Sequence, residues 1–315
     1  GRHSITIRRR NAHGSERTRC PWTSNTLHHL DGCRSQADCN LSRSVAPAAT
    51  GGGQHGLVPT LDDTSMRALE AEHYVLDVKL KRDRVPSFDT YPFSLPVVRH
   101  LETLELHPKV TFIVGENGSG KSTLLEAIAT AWGFNPEGGT KNFNFQTRAS
   151  HSALYEYLVL VKSTKRPRDG FFLRAESFFN VATQIEHLDE GPGGPPIINS
   201  YGGRSLHQQS HGESFFALML NRFGGRGFYV LDEPEAALSP NRQLAMLSRL
   251  HDLVHDRSQF VIATHSPILM AYPDAWIYQI GDSGLERIAY EQTEHYRVTR
   301  DFLGDPKRRL NDLLG

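Results

Sequence analysis

The run Val110-Thr111-Phe112-Ile113-Val114-Gly115-Glu116-Asn117-Gly118-Ser119-Gly120-Lys121-Ser122-Thr123 decides the fold. Its first five residues are apolar or β-branched and read as a buried strand. Its last nine fit G-x-x-x-x-G-K-[ST] in full. From Ser122 to Trp132 a helix is predicted, with Leu124, Leu125, Ile128, Ala129 and Trp132 on one face. A strand, a glycine-rich turn and a helix in that order make a cradle for phosphate. The glycines allow a tight turn, so successive N–H groups point into one concavity. The helix aims its positive end at the same place. In this reading the backbone of Gly115, Glu116, Asn117, Gly118, Ser119 and Gly120 forms the cradle and Thr123 completes the motif. Lys121 reaches the β- and γ-phosphates, and the Ser122 hydroxyl ligates Mg²⁺. The motif alone predicts a nucleotide site, since kinases, GTPases and motors share it.

Working outward, Tyr229-Val230-Leu231-Asp232-Glu233-Pro234 is an apolar strand that ends in two acids. The strand end would place Asp232 beside the phosphate loop to hold the Mg²⁺ shell. Glu233 would then orient and deprotonate the attacking water. Val261-Ile262-Ala263-Thr264-His265-Ser266-Pro267 repeats the pattern. It places His265 at a strand end, where it can hydrogen-bond the γ-phosphate or that water. Ser210-His211-Gly212-Glu213-Ser214 opens an apolar helix over 214–223. A small polar residue and a glycine there suit either an anion site or an ordinary N-cap.

Elsewhere, Tyr74–Leu80 alternates apolar and polar residues as a half-buried strand does. Prolines 86, 92 and 96 predict loop and edge over 81–100, and 133–141 reads as a Gly/Pro/Asn loop. Residues 150–163 are compatible with a helix. Residues 171–174, 227–231 and 260–263 read as strands, and 191–196 as a loop. Ser239-Pro240 supplies an N-cap and an N1 proline for a helix through Val254. Residues 276–280 and 285–290 flank Gly281-Asp282-Ser283-Gly284 and predict a hairpin, before a short C-terminal helix. Buried strands alternating with helices indicate an α/β fold with a mostly parallel central sheet covered on both faces. The phosphate loop makes the expected fold a P-loop NTPase.

The chain has 315 residues with Lys+Arg 35 balancing Asp+Glu 35, so no overall charge points to nucleic acid, although a local basic groove can hide in a neutral total. No apolar run approaches the about 18–20 residues that cross a bilayer, and no signal peptide is evident. The expectation is a cytoplasmic protein without membrane insertion. Residues 1–65 form a different text, with eight Arg, no Lys and five acids, and lack helical or strand periodicity. They hold all three cysteines, Cys20, Cys33 and Cys39, at spacings that match no regular zinc finger. This stretch is expected to be a disordered or non-native extension, with residues 66–315 forming the ATPase domain; a basic nucleic-acid-binding arm is the rival reading.

The phosphate loop, Ser210-His211-Gly212-Glu213-Ser214, Leu231-Asp232-Glu233-Pro234-Glu235 and Ala263-Thr264-His265-Ser266 occur in this order. The set resembles the ABC-type ATPases. Asp-Glu-Pro-Glu-Ala-Ala-Leu-Ser with Ala-Thr-His-Ser-Pro resembles their soluble branch, the predicted AAA-type ATPases related to the RecF, SbcC and structural-maintenance-of-chromosomes heads. The resemblance spans about residues 70–300 by motif order. It implies an ABC-type ATPase head, with an antiparallel N-terminal β region and a small helical lobe over about 142–222 in addition to the mostly parallel sheet. It also implies ATP and Mg²⁺ as ligands, hydrolysis to ADP and phosphate, and an ATP-dependent head-to-tail homodimer. Ser210 and Gly212 would then touch the partner's γ-phosphate, and Glu235 to Ser239 would be the D-loop.

This chain departs from the family pattern in places. Gln209 stands where Leu is common and His211 where the first Gly is common, which bears on closure of the sandwich. Ser239 stands where the D-loop commonly has Asp. Gln146 is the candidate for the Mg²⁺-sensing glutamine, with Gln184 the alternative; Tyr91 and Phe93 are candidates for the adenine face. There is no long heptad region between Lys121 and Ser210, so the long coiled-coil arms of the chromosome-maintenance members are not expected.

Three function classes fit these residues. The first is a DNA-associated ATPase in repair or defence, the second the ATP-binding subunit of a transporter, and the third a nucleotide-gated switch for a protein partner. DNA-stimulated turnover, co-purification with a membrane protein, and ATP-dependent partner capture would separate them.

Overall fold

The computed structural model describes residues 63–141, 152–176, 178–189 and 196–315. The cysteines, Gln146 and the 191–195 loop therefore lie outside the described residues, as does the N-terminal stretch up to residue 62.

Nine strands are described: β1 (Val75–Leu80), β2 (Thr103–Glu105), β3 (Val110–Val114), β4 (Leu158–Lys162), β5 (Asp169–Arg174), β6 (Gly227–Asp232), β7 (Gln259–Ala263), β8 (Trp276–Gly281) and β9 (Gly284–Ile288). Six form one sheet in the order β5-β6-β7-β3-β8-β9, parallel throughout except for the β8–β9 hairpin. Every residue of β3, β6 and β7 is buried, which is why these strands read as unbroken apolar runs. The period of two divides them between the faces. Phe112, Tyr229, Leu231, Phe260 and Ile262 join one core. Ile113, Phe228, Val230, Val261 and Ala263 join the other.

The first core is covered by α4 (Phe178–Asp189), α5 (His211–Asn221), α6 (Pro240–His255) and α7 (Pro267–Met270). The second is covered by α2 (Pro96–Arg99), α3 (Lys121–Trp132) and a three-stranded antiparallel sheet in the order β2-β1-β4. One glutamine ties that small sheet to the large one. Gln259, at the start of β7 and 1% exposed, accepts from the N–H groups of Tyr74 and Val75 and donates to the carbonyls of Val75 and His107. All its polar capacity toward the backbone is spent where two sheets meet, so no group is left unpaired.

Several expectations are corrected. Residues 158–162 of the segment expected to be helical form β4, preceded by a 3-10 turn over 153–157. Leu158-Val159-Leu160-Val161 pairs antiparallel with β1, and β-branched residues suit such a ladder better than a helix. With β4 and β5 inside it, the 142–222 region is helical only from Phe178 to Asn221 among its described residues. Pro96 does not interrupt structure but starts α2 from the N1 position, where its missing N–H costs nothing. Among the described residues the first element is α1 (Asp63–Glu70). Arg67 of α1 reaches the buried Asp77 of β1 at 3.4 Å. The C-terminal end holds two helices, α8 (Glu294–Gly304) and α9 (Pro306–Leu314).

Candidate nucleotide site

The parallel strands bring their carboxyl ends to one edge of the sheet, and the predicted residues meet there. The loop after β3 turns through Gly118 at φ 82° and Gly120 at φ 99°, in the left-handed region that favours glycine. Gly120 has a second reason to be glycine, since a Cβ there would sit 2.6 Å from Val97 Cγ1. Lys121 opens α3 and is 4% exposed. Its ammonium donates to the Gly115 and Glu116 carbonyls, both at 2.9 Å. Burial lowers its pKa, and Glu233, Asp232 and Glu235 oppose that shift. The lysine is thus held inside its own loop, with three carboxylates around it.

Asp232 ends β6 with its carboxylate 4% exposed, and the Ser122 hydroxyl donates to it at 3.1 Å. Burial pushes this acid up to about 7, with Arg174 and Ser122 pulling down and Glu233 and Glu176 adding to the rise. The Ser122 hydroxyl and the Asp232 carboxylate are two hard oxygen donors side by side at the end of β6, the donor type that a hard divalent cation takes. The residues present therefore fit Mg²⁺ as well as phosphate.

Arg174 is a site residue that sequence reasoning missed. At the end of β5 it spans Glu126 at 2.7 Å, Glu176 at 3.2 Å and Asp232 at 3.7 Å. It therefore fixes the base of the loop helix against the acidic strand end. Its signal in sequence is a single Arg closing a strand, which nothing distinguishes from an edge residue.

Glu233 takes φ 52° and ψ 51°, a left-handed conformation that costs a non-glycine residue about 1–2 kcal/mol. Its N–H donates to the Ala263 carbonyl at 3.0 Å, which locks the turn to β7. The carboxylate stands 3.5 Å from His265 Nε2 and is half-exposed toward the loop. Strain of this kind gathers where a side chain must be aimed.

His265 is held from two further sides. Its N–H donates to Glu235 Oε1 at 2.5 Å, and its Nδ1 lies 2.9 Å from Nε2 of His295 on α8. Burial lowers the pKa of both imidazoles, and Lys121 lowers that of His265 further. His295 is the second residue that sequence reasoning missed, because only the fold brings α8 to the phosphate loop. Between them lies a cavity of about 480 Å³ lined by Glu116, Asn117, His265, Glu294, His295 and Val298.

Ser210 and Gly212 lie at the start of α5, against the turn that follows Glu233. The Ser210 hydroxyl donates to Glu213 at 2.8 Å. A Cβ on Gly212 would fall 2.5 Å from the Ala237 carbonyl oxygen and 2.7 Å from Arg242 Nη1. Gly212 thus has an intrachain reason to be glycine. Of the adenine-face candidates, Tyr91 is 65% exposed and Phe93 is buried at 5%, which leaves Tyr91 the available ring. Gln184 is half-buried on α4.

Comparison with known proteins gives partial matches. Residues 90–178, which include β3, the phosphate loop and α3, match the family described as an AAA domain. The chain is 41% identical over 66 residues to the DNA replication and repair protein RecF of Colwellia psychrerythraea, covering 21% of this chain and 16% of that protein. It is 26% identical over 171 residues to ABC transporter G family member STR2 of Medicago truncatula, covering 50% of this chain and 24% of that one. The chain thus spans a quarter or less of the length of these two relatives. Among solved structures, cbiO1 of Clostridium perfringens, part of the cbiONQ ABC transporter complex, is 18% identical with a TM-score of 0.41, over 77% of this chain and 99% of that one. The family match is thus to an AAA domain over residues 90–178, the segment that holds the Gly115–Thr123 loop.

Proposed function

We propose that this chain binds ATP with Mg²⁺ at Gly115–Thr123 and hydrolyses it to ADP and phosphate. The observation that carries the reading is the meeting of Ser122 with Asp232 at 3.1 Å, with Glu233 and His265 3.5 Å apart on the next turns. Loop N–H groups and Lys121, released from its own carbonyls, bind the β- and γ-phosphates. Ser122 and Asp232 hold Mg²⁺, which when bound neutralises phosphate charge. Glu233 accepts a proton from the attacking water. His265, kept neutral by burial, steadies the γ-phosphate or that water through Nε2, and His295 fixes its ring orientation from Nδ1.

The same site suggests how nucleotide state reaches the rest of the chain. The turn Pro234–Ala237 is gripped at both ends, Glu235 by the His265 N–H and Ala237 by the close approach of Gly212. Movement at the γ-phosphate is therefore felt at the start of α5, where Ser210 is exposed. This favours an ATP-dependent head-to-tail homodimer in which Ser210 and Gly212 close on the partner's nucleotide. The names of the two curated relatives point to DNA repair and to transport respectively, so they leave the coupled partner open.

ATP turnover and nucleotide binding by the full chain test the reading. Lys121→Ala should abolish tight ATP binding. Glu233→Gln should keep binding and slow turnover by about 10²–10⁴-fold, since it removes the base and keeps the shape. Unchanged turnover in Glu233→Gln would remove Glu233 as the base, and retained binding in Lys121→Ala would refute the site.

A further inference from the structure

A second feature lies at the opposite edge of the sheet. The nucleotide site occupies the carboxyl ends of β3, β6 and β7. At the amino ends, a cavity of about 590 Å³ is lined by Lys141, Lys162, Lys165, Arg166 and Arg168. All five are exposed. The three residues Lys165, Arg166 and Arg168 also line an adjoining cavity of about 150 Å³, together with Arg226 and Arg257. The two cavities therefore form a continuous track of seven cations. Six strand residues at about 3.3 Å each separate this edge from the Arg174–Asp232 end of β5 and β6, so the track stands about 20 Å from the phosphate loop.

The charge on the track is mostly uncompensated. None of Lys141, Lys162, Lys165, Arg166 and Arg168 forms an ion pair with another described residue. Asp169, the carboxylate nearest in sequence, is committed to Arg222 at 2.7 Å and to the Tyr229 hydroxyl at 2.7 Å. Asp256 offsets Arg226 at 3.5 Å, and Glu72 is the remaining acid at the second cavity. Part of this has a local explanation. The ammonium groups of Lys141 and Lys162 lie 4.5 and 4.6 Å from the Trp132 ring centroid, and their stems shield a ring that is 7% exposed. Both groups sit near the negative end of α3, which favours cations. No such role accounts for Lys165, Arg166, Arg168 and Arg257. Collecting them on one edge carries a self-repulsion already felt at Lys141, whose pKa is lowered by burial and then by the nearby Lys162.

We propose that this track binds the phosphate backbone of a nucleic acid. Its extended form decides against a small anion, which would need donors converging on one point, and suits a polymer with regularly spaced negative charges. The chain's balanced total hides the feature, because the seven cations come from four separated segments.

The test uses the full chain without nucleotide. Its affinity for a short fluorescent duplex, and for the matching single strand, is measured by anisotropy between about 50 and 200 mM salt. If five phosphates are neutralised, affinity for the duplex falls roughly 500-fold across that range. Lys165→Glu/Arg166→Glu/Arg168→Glu should weaken binding at least about 10-fold and lower the log–log salt slope by about 2.7. ATP turnover is followed in the same samples and should be retained, which separates this site from the nucleotide site. Where the triple reversal does not fold, Lys165→Gln/Arg166→Gln/Arg168→Gln gives the same reading with a milder change. The idea is overturned if the wild-type chain binds neither duplex nor single strand, or if the variants bind as wild type does. It is also overturned if poly-glutamate or phosphatidylserine vesicles bind with that salt slope while both nucleic acids do not.

Discussion

The phosphate loop contains two glycines in the same left-handed conformation whose surroundings differ, and this makes its strain measurable. Alanine at either position costs about 1–2 kcal/mol for the conformation itself. Gly118 has no heavy atom within 4 Å of its added Cβ, so nothing further is lost there. At Gly120 the added Cβ meets Val97 Cγ1 at 2.6 Å and two Leu95 atoms at 3.2 and 3.3 Å. Val97 is fully buried and cannot swing away, so overpacking adds about 1–3 kcal/mol. Gly120→Ala should therefore cost about 2–5 kcal/mol, or roughly 4–20 °C in Tm for a domain of this size, against about 2–8 °C for Gly118→Ala. Because these ranges overlap, the decisive measurement is a double-mutant cycle by thermal unfolding. Val97→Ala destabilises alone, yet in Gly120→Ala it removes the clashing Cγ1. The pair should show a favourable coupling of about 1–3 kcal/mol, while Gly118→Ala and Val97→Ala should add. Additive costs in the Gly120–Val97 pair, or a Gly118→Ala more damaging than Gly120→Ala, would refute the packing argument. ATP binding should fall in both single glycine variants, because each reorients N–H groups that line the cradle.

Glu233→Gly should leave Tm unchanged or raise it by relieving the left-handed strain, while ATP turnover falls as in Glu233→Gln; a clear loss of stability would show that φ 52° carries no strain. Gln259→Leu leaves two N–H groups and two carbonyls unpaired between the sheets and should cost about 3–6 kcal/mol, read as a lower Tm with nucleotide affinity nearly intact at low temperature. The His265–His295 pair is held neutral by burial, with folded pKa values below the ordinary 6.5, so the unfolded chain binds more protons once pH falls below about 6.5 and stability is lost toward acid. The wild-type Tm should thus drop more steeply from pH 7 to 5 than that of His265→Asn/His295→Gln, and parallel curves would show that the pair does not titrate in this window.

What the sequence made legible follows from how local each feature is. β3, the phosphate loop and α3 are contiguous, so Val110 to Trp132 could be read as strand, turn and helix without knowing any other contact. The fully buried β6 and β7 were legible for a related reason. A strand covered on both faces is an unbroken apolar run, and the acids or histidine that end it stand out. β4 was misread because Leu158–Val161 is equally apolar in either conformation. What decides it is the partner strand β1, some eighty residues earlier. Arg174 and His295 were missed on the same ground, since each is defined by contacts to residues distant in sequence, Glu126 and Asp232 for one and His265 for the other.

The basic track is the extreme case. Its cations lie at 141, 162–168, 226 and 257, and each alone is an ordinary surface residue. They converge because parallel strands start on one edge just as surely as they end on the other. The topology that gathers Asp232, Glu233 and His265 beside the Gly115–Thr123 loop also gathers the residues preceding β5, β6 and β7 on the far side. α3 joins the two edges, with Lys121 at its first residue and Trp132 at its last, under Lys141 and Lys162. A rigid helix of twelve residues, about 18 Å long, thus connects the phosphate cradle to the cationic track. If both edges bind their proposed ligands, this helix touches both, and a displacement of it is what would couple them.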